Sequence, residues 1–212
     1  MVITRAGSIV DRHQWFGARS LTFAKSSIWP ADAFGTPTGI ATASGQVCLG
    51  RLGDGISRVD SGLVLTPVAI KPGGTFDYGL WGNPVNAYLI ASTSAGLVDI
   101  DPTTGVWLQI GAPGVFVDGV SVSPDGPIAY GAYTGDGSLR GCSLTSPNPS
   151  APVFNHFVDH GLDGTGVISG GKFNGYIIVN NNDGTVGLMD HVTGVESIIA
   201  DRGSRGDLVS PD

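Results

Sequence analysis

Apolar and polar residues alternate over short stretches of this chain, and each stretch ends in a turn. Val120-Ser121-Val122-Ser123 has the two-residue period of a strand. Pro124-Asp125-Gly126 follows as a tight turn, with Pro presetting φ and Gly accepting the left-handed position. The pattern predicts further strands over 128–133, 138–144 and 153–158. A turn at 134–137 and a Pro-rich loop at 146–152 separate them, since Pro cannot donate to a ladder.

The same plan repeats. It predicts strands over 39–42, 46–51, 56–60 and 63–68, then over 78–82, 87–93, 96–100 and 106–110. A last set covers 166–169, 176–180, 185–190 and 195–200, with Asn174-Gly175 and Asp183-Gly184 as hairpin signals. Thr38-Gly39, Tyr78-Gly79, Asp118-Gly119, Thr165-Gly166 and Arg205-Gly206 open the units, with glycine steps of 40, 40, 47 and 40. Four short strands per unit of 40–50 residues indicate an all-β β-propeller. Ser210-Pro211-Asp212 copies Ser123-Pro124-Asp125, and strand-like segments lie at 2–5, 8–13 and 19–24. The expectation is a single domain of five four-stranded blades. The blades are 206–212 plus 1–30, 34–72, 77–112, 117–160 and 164–204, closed by pairing of N- and C-terminal strands.

Composition narrows the function. The 212 residues carry 11 Lys and Arg against 18 Asp and Glu, a formal charge of −7, which disfavours nucleic acid as a partner. No apolar run is long enough to span a membrane, and residues 1–10 lack the apolar stretch of a signal peptide. Cys48 and Cys142 lie in different units at mid-strand positions and read as separate buried thiols.

Two stretches resemble a known superfamily. They are Asp118-Gly119-Val120-Ser121-Val122-Ser123-Pro124-Asp125-Gly126 and Gly184-Thr185-Val186-Gly187-Leu188-Met189-Asp190-His191-Val192-Thr193-Gly194. Both are similar to blades of gluconolactonase-like (regucalcin-type) and streptogramin-lyase-like (NHL-type) propellers, as is Gly203-Ser204-Arg205-Gly206-Asp207. The resemblance implies a divalent cation, Ca²⁺ or Mg²⁺, at the channel mouth, polarising a lactone or ester. Asp118 stands where the family motif has Asn, and Asp can hold the same hard cation. The family's metal-binding Glu has no counterpart, because the one glutamate, Glu196, falls in an outer strand.

Candidate site residues follow from the repeat. Asp77, Asp118, Asp163 and Arg205 all lie at or just before inner strands, the aspartates as candidate metal ligands and Arg205 as a candidate ligand-binding residue. Converging carboxylates would repel unless a metal or Arg205 neutralised them; the other reading is that each bonds nearby backbone. His160 precedes an inner strand near Asp163 and reads as a general base or as a loop histidine. His156 is four residues away, about 13 Å along a strand, too far to share a metal. Tyr78 and Trp81 read as a stacking surface for a sugar or flat ligand, or as packing between blades. The functional expectation is a small polar molecule bound at one channel mouth, with metal-assisted hydrolysis or lyase chemistry and His160 as base. The alternative is a non-catalytic propeller that binds carbohydrate or protein.

Overall fold

The computed structural model describes residues 2–3, 9–10, 37–51, 55–62, 64–69, 76–111, 113–124, 127–146 and 151–201. Four four-stranded antiparallel sheets make up most of them. Blade 1 holds β3 (Pro37–Ala43), β4 (Gln46–Arg51), β5 (Gly55–Val59) and β6 (Leu65–Ala69). Blade 2 holds β7 (Phe76–Gly82), β8 (Leu89–Thr93), β9 (Gly96–Ile100) and β10 (Trp107–Gln109). Blade 3 holds β11 (Val120–Val122), β12 (Ile128–Tyr133), β13 (Ser138–Ser143) and β14 (Pro152–Phe157). Blade 4 holds β15 (Leu162–Val167), β16 (Ile177–Asn181), β17 (Val186–Met189) and β18 (Glu196–Ala200).

Near the N-terminus β1 (Val2–Ile3) pairs with β2 (Ile9–Val10), both within segments expected to be strands. The rest of the expected fifth blade, including 19–24 and 206–212, lies outside the described residues. β3 packs beside β7, β7 beside β11 and β11 beside β15.

Strand alternation sends side chains to both faces of each blade, and the sheets of blades 2 and 3 each form a layer between two cores. In blade 2, Leu89, Ala91, Val98 and Ile100 join Leu80 in a cluster with Ala43, Cys48 and Ile56 of blade 1. Ile90 and Leu97, one residue out of phase, join Val120, Ala129, Tyr133 and Cys142 of blade 3. Tyr130, Ala132 and Leu139 turn the other way, onto Leu162, Ile177 and Val179 of blade 4. A sheet covered on both faces needs apolar residues at successive positions, which explains runs such as Leu89-Ile90-Ala91. Cys48 and Cys142 are free and buried in these layers, as expected, and burial pushes the Cys48 thiol up to about 11.

The innermost strands approach one another through glycine. A Cβ on Gly39 would lie 2.8 Å from the Leu80 nitrogen, and one on Gly79 would lie 3.2 Å from the Val120 nitrogen. One on Gly119 would lie 3.0 Å from the Thr165 nitrogen and from the Gly164 Cα. Each glycine therefore meets the residue just after its counterpart in the next blade. This register corrects the expected fourth unit: the equivalent glycine is Gly164, not Gly166, and the inner strand starts at Leu162. Both glycines suit the local pattern, and only the backbone contact with blade 3 separates them.

Aspartates close the turns between third and fourth strands. Asp101 Oδ1 accepts from Thr103 N at 2.8 Å, and Asp190 Oδ1 accepts from Val192 N at 2.7 Å. Asp60 Oδ1 accepts from Gly62 N at 2.8 Å in the same place in blade 1. These are Asx turns, in which the side chain supplies a bond that the turn backbone lacks. Backbone N–H groups of Thr193 and Val192 hold the Asp190 carboxyl below its ordinary value of 3.8. A depressed acid adds stability that is complete above its unfolded value and is lost as pH falls toward its folded one. Asp190→Asn is therefore expected to melt with a shallower decline than the wild type as pH drops below 3.8. Parallel pH–melting curves for the two proteins would contradict this.

A second aspartate is structural in another way. Asp99 is buried, and burial raises its pKa, opposed by hydrogen bonds from Asn83 and Asn86. Asn83 Nδ2 donates to Asp99 Oδ1 at 3.0 Å and Asn86 Nδ2 donates to Oδ2 at 2.7 Å. The carboxylate thereby clamps the loop between β7 and β8. Asp99→Ala strips an acceptor from the buried Asn83 amide and is expected to cost about 1–3 kcal/mol. An unchanged denaturant midpoint would show that the clamp carries no stability.

Candidate functional site

Inner strands start at one face of the molecule, and so do the turns between second and third strands, because antiparallel pairing returns them there. Asp118 sits immediately before Gly119, and Asp163 immediately before Gly164. They are therefore equivalent residues at the starts of neighbouring inner strands, which meet where Gly119 packs against Gly164 and Thr165. Asp163 lies within its strand, at the bulge between Leu162 and Gly164. An extra residue at a bulge re-aims the side chain. Both carboxylates are buried, Asp118 at 4% exposure and Asp163 at 0%.

Hydroxyls surround this level. Ser92 Oγ donates to the Asp118 carbonyl at 2.5 Å, which ties blade 2 to the start of blade 3. Ser121 Oγ and Thr165 Oγ1 lie 3.5 Å apart across the next interface.

His160 lies on the same face. Its Nδ1 is 2.7 Å from Asp183 Oδ2, in the turn between β16 and β17. Two bonds bring that turn to the start of β15. Asn182 N donates to the Gly161 carbonyl, and Asn182 Nδ2 to the Leu162 carbonyl, each at 3.1 Å. Asp183 is itself fixed by Thr185, whose hydroxyl and backbone N–H donate to Oδ1 at 2.7 and 2.9 Å. Those bonds, followed by His160, hold its carboxyl below the ordinary range. Pairing with Asp183 assigns the Nδ1 proton of a neutral His160, which leaves Nε2 as the acceptor. His156 stands elsewhere, with its ring centroid 4.4 Å from that of Phe154, so the two histidines do not meet.

Asp77 and Tyr78 occupy the bulge of β7 between Phe76 and Gly79; their side chains, like Arg205, lie outside the described residues. Trp81 is half-buried and packs against the cluster between blades 2 and 3. It lies two residues past Gly79, nearer the opposite face than the aspartates are. Among the described residues no three His, Cys, Asp or Glu side chains are placed to hold a metal ion together. Sequence reasoning missed Asp183 as the partner of His160. The Asp183-Gly184 hairpin signal located the turn but not its neighbour 23 residues earlier.

The fold and this face define a β-propeller with an acidic inner rim. No protein-family model matches the chain, and no curated protein matches it. Solved structures do. A regucalcin from Agrobacterium tumefaciens, described as a calcium-binding protein, aligns with a TM-score of 0.60 and 17% identity. The match covers 86% of this chain and 64% of that one. A streptogramin B lyase aligns with a TM-score of 0.66 and 12% identity, over 88% of this chain and 61% of that one. AztD from Citrobacter koseri aligns with a TM-score of 0.54 and 15% identity, over 86% of this chain and 50% of that one. The chain thus has the regucalcin and streptogramin-lyase type of propeller fold, and it spans half to two thirds of the length of these structures.

Proposed function

We propose that this propeller binds a small polar ligand at the face where its inner strands begin, together with a divalent cation. The observation that carries the reading is the pair of buried carboxylates, Asp118 and Asp163, at equivalent positions on adjacent inner strands. Two buried carboxylates on neighbouring strands favour a positive partner. Their oxygens suit Ca²⁺ or Mg²⁺, which take carboxylate, carbonyl and water ligands. They supply two donors, and Asp77, two residues before the equivalent glycine of blade 2, is the third residue we assign to the cation. Closure of the ring by a fifth blade built from both termini belongs to the same proposal, with Arg205 at its edge.

The chemistry such a site supports is hydrolysis of a lactone or ester, or elimination. The cation, when bound, supplies polarisation of a carbonyl. Asp118 and Asp163 would orient it. His160 would accept a proton at Nε2, with Asp183 orienting the ring and stabilising the imidazolium that forms. Tyr78 would contact the ligand from blade 2.

Adding Ca²⁺ to chelator-treated protein while following the melting temperature tests the reading. A saturable rise is expected, and it should vanish in the Asp118→Asn, Asp163→Asn double variant. A lactone and ester screen follows, in which His160→Ala should lose turnover while keeping the calcium-induced rise.

A further inference from the structure

Glu196, the one glutamate of the chain, lies in the outer strand β18, yet its side chain reaches back across the blade. β18 pairs with β17, and a Cβ on Gly187 of β17 would collide with the Glu196 carboxyl. The carboxyl therefore fills the space that a side chain at Gly187 would take. From there Glu196 Oε1 accepts a hydrogen bond from Asn181 Nδ2 at 3.0 Å. Asn181 ends β16 and is fully buried, at 0% exposure. Its Oδ1 is buried too, and no described residue donates to it.

The same Asn181 Nδ2 donates to Thr185 Oγ1 at 3.0 Å, and Thr185 Oγ1 donates to Asp183 Oδ1 at 2.7 Å. Asp183 Oδ2 then meets His160 Nδ1 at 2.7 Å. An unbroken chain of hydrogen bonds thus runs from the outer strand to the histidine on the face where inner strands begin. Chemistry fixes the direction of each link. An ionised carboxylate only accepts, so Glu196 must face the amide nitrogen of Asn181 and not its oxygen. The same nitrogen then faces Thr185, whose hydroxyl oxygen accepts from it, and the one hydroxyl proton is left for Asp183. That bond is the largest of those that hold the Asp183 carboxyl below its ordinary range.

Turning the Asn181 amide over would undo the chain. Oδ1 would face Thr185 and take the hydroxyl proton, and Asp183 Oδ1 would keep only the Thr185 backbone N–H, at 2.9 Å. Reversal would give the buried Oδ1 a donor, so the group that opposes it is the Glu196 carboxylate, which would then face an oxygen. We infer that Glu196 is a positioning residue. It fixes the Asn181 amide, and through Thr185 and Asp183 it holds the His160 ring with the proton on Nδ1 and Nε2 left as acceptor. The role of His160 as a base rests on the function proposed above; the orientation of its ring does not.

The test is long-range proton–nitrogen correlation NMR of the imidazole nitrogens, which separates the two neutral tautomers. It is run on the full chain at about pH 9, where histidine is neutral. Wild-type His160 is expected as the Nδ1–H form. In Glu196→Ala the ratio of Nδ1–H to Nε2–H should fall about threefold, a factor that one hydrogen bond carries. If that variant melts early, Gly187→Ala decides. It keeps the glutamate but displaces its carboxyl, and the flexible end of that side chain can swing away from the new methyl. In a Thr185→Val background, adding Glu196→Ala should change nothing, since the two residues act in series. Three results would overturn the inference: a wild-type ring not held as Nδ1–H, an unchanged ring in the folded variant that decides, or a further change when Glu196→Ala is added to Thr185→Val. Neither calcium nor a substrate enters the experiment, so its failure and the failure of the proposed binding site are told apart.

Discussion

Gly119→Ala is expected to lower stability by about 1–3 kcal/mol, roughly 2–12 °C in melting temperature for a chain of this size. The added Cβ would lie 3.0 Å from the Gly164 Cα and from the Thr165 nitrogen. Those are backbone atoms of an inner strand, so no side-chain rotation relieves the contact. β15 must move away from β11, and the layer of Tyr130, Leu162 and Val179 between blades 3 and 4 opens with it. Gly119→Val should be worse, because its branches enlarge the same clash. Gly135, in the turn between β12 and β13, is the control. A Cβ there meets no atom within 4 Å, and Gly135→Ala should change stability by less than about 0.5 kcal/mol. Equal melting temperatures for the Gly119 and Gly135 variants would disprove the role assigned to the glycine contacts.

Calcium at about a hundred times its dissociation constant should add about 2.7 kcal/mol of stability, through preferential binding to the folded chain. That corresponds to a rise of roughly 5–11 °C. In the Asp118→Asn, Asp163→Asn variant the rise should disappear, because an amide keeps the size of the carboxylate but not its charge. Mg²⁺ should give a smaller rise, since it demands a tighter octahedral shell and sheds water reluctantly. A rise that persists in the double variant would move the cation elsewhere. No rise with either cation would remove the metal from the proposed site. Gly119→Ala links the two predictions, since moving β15 separates Asp163 from Asp118 and should weaken calcium binding as well as the fold.

The residues divide into those readable from local pattern and those that needed the assembled blades. Strand period, Asp-Gly and Asn-Gly turns and the 40-residue step are local properties, so the four described blades and most strand bounds were legible in the amino-acid order. The fourth inner strand was not. Gly164 and Gly166 are both followed by strand-forming residues, and only the approach of Gly119 selects between them. The same limit applies to the aspartates. Asp60, Asp101 and Asp190 close turns, Asp99 clamps a loop and Asp183 orients His160. Among the described residues, Asp118 and Asp163 are the buried aspartates that precede the touching glycines of neighbouring inner strands. An Asp side chain looks alike in all these settings until its neighbours are known.

Trp81 shows the limit from the other side. Its place two residues after Gly79 was visible, but its packing against the cluster between blades 2 and 3 was not, because that depends on how the two blades meet. The sequence alone determined an all-β repeat of four-stranded units, an acidic chain and two buried thiols, because each depends on residue type and spacing along one segment. Tertiary structure alone decided which glycines touch and which aspartate holds His160. Those are contacts between residues tens of positions apart, and their geometry is set by how the blades pack.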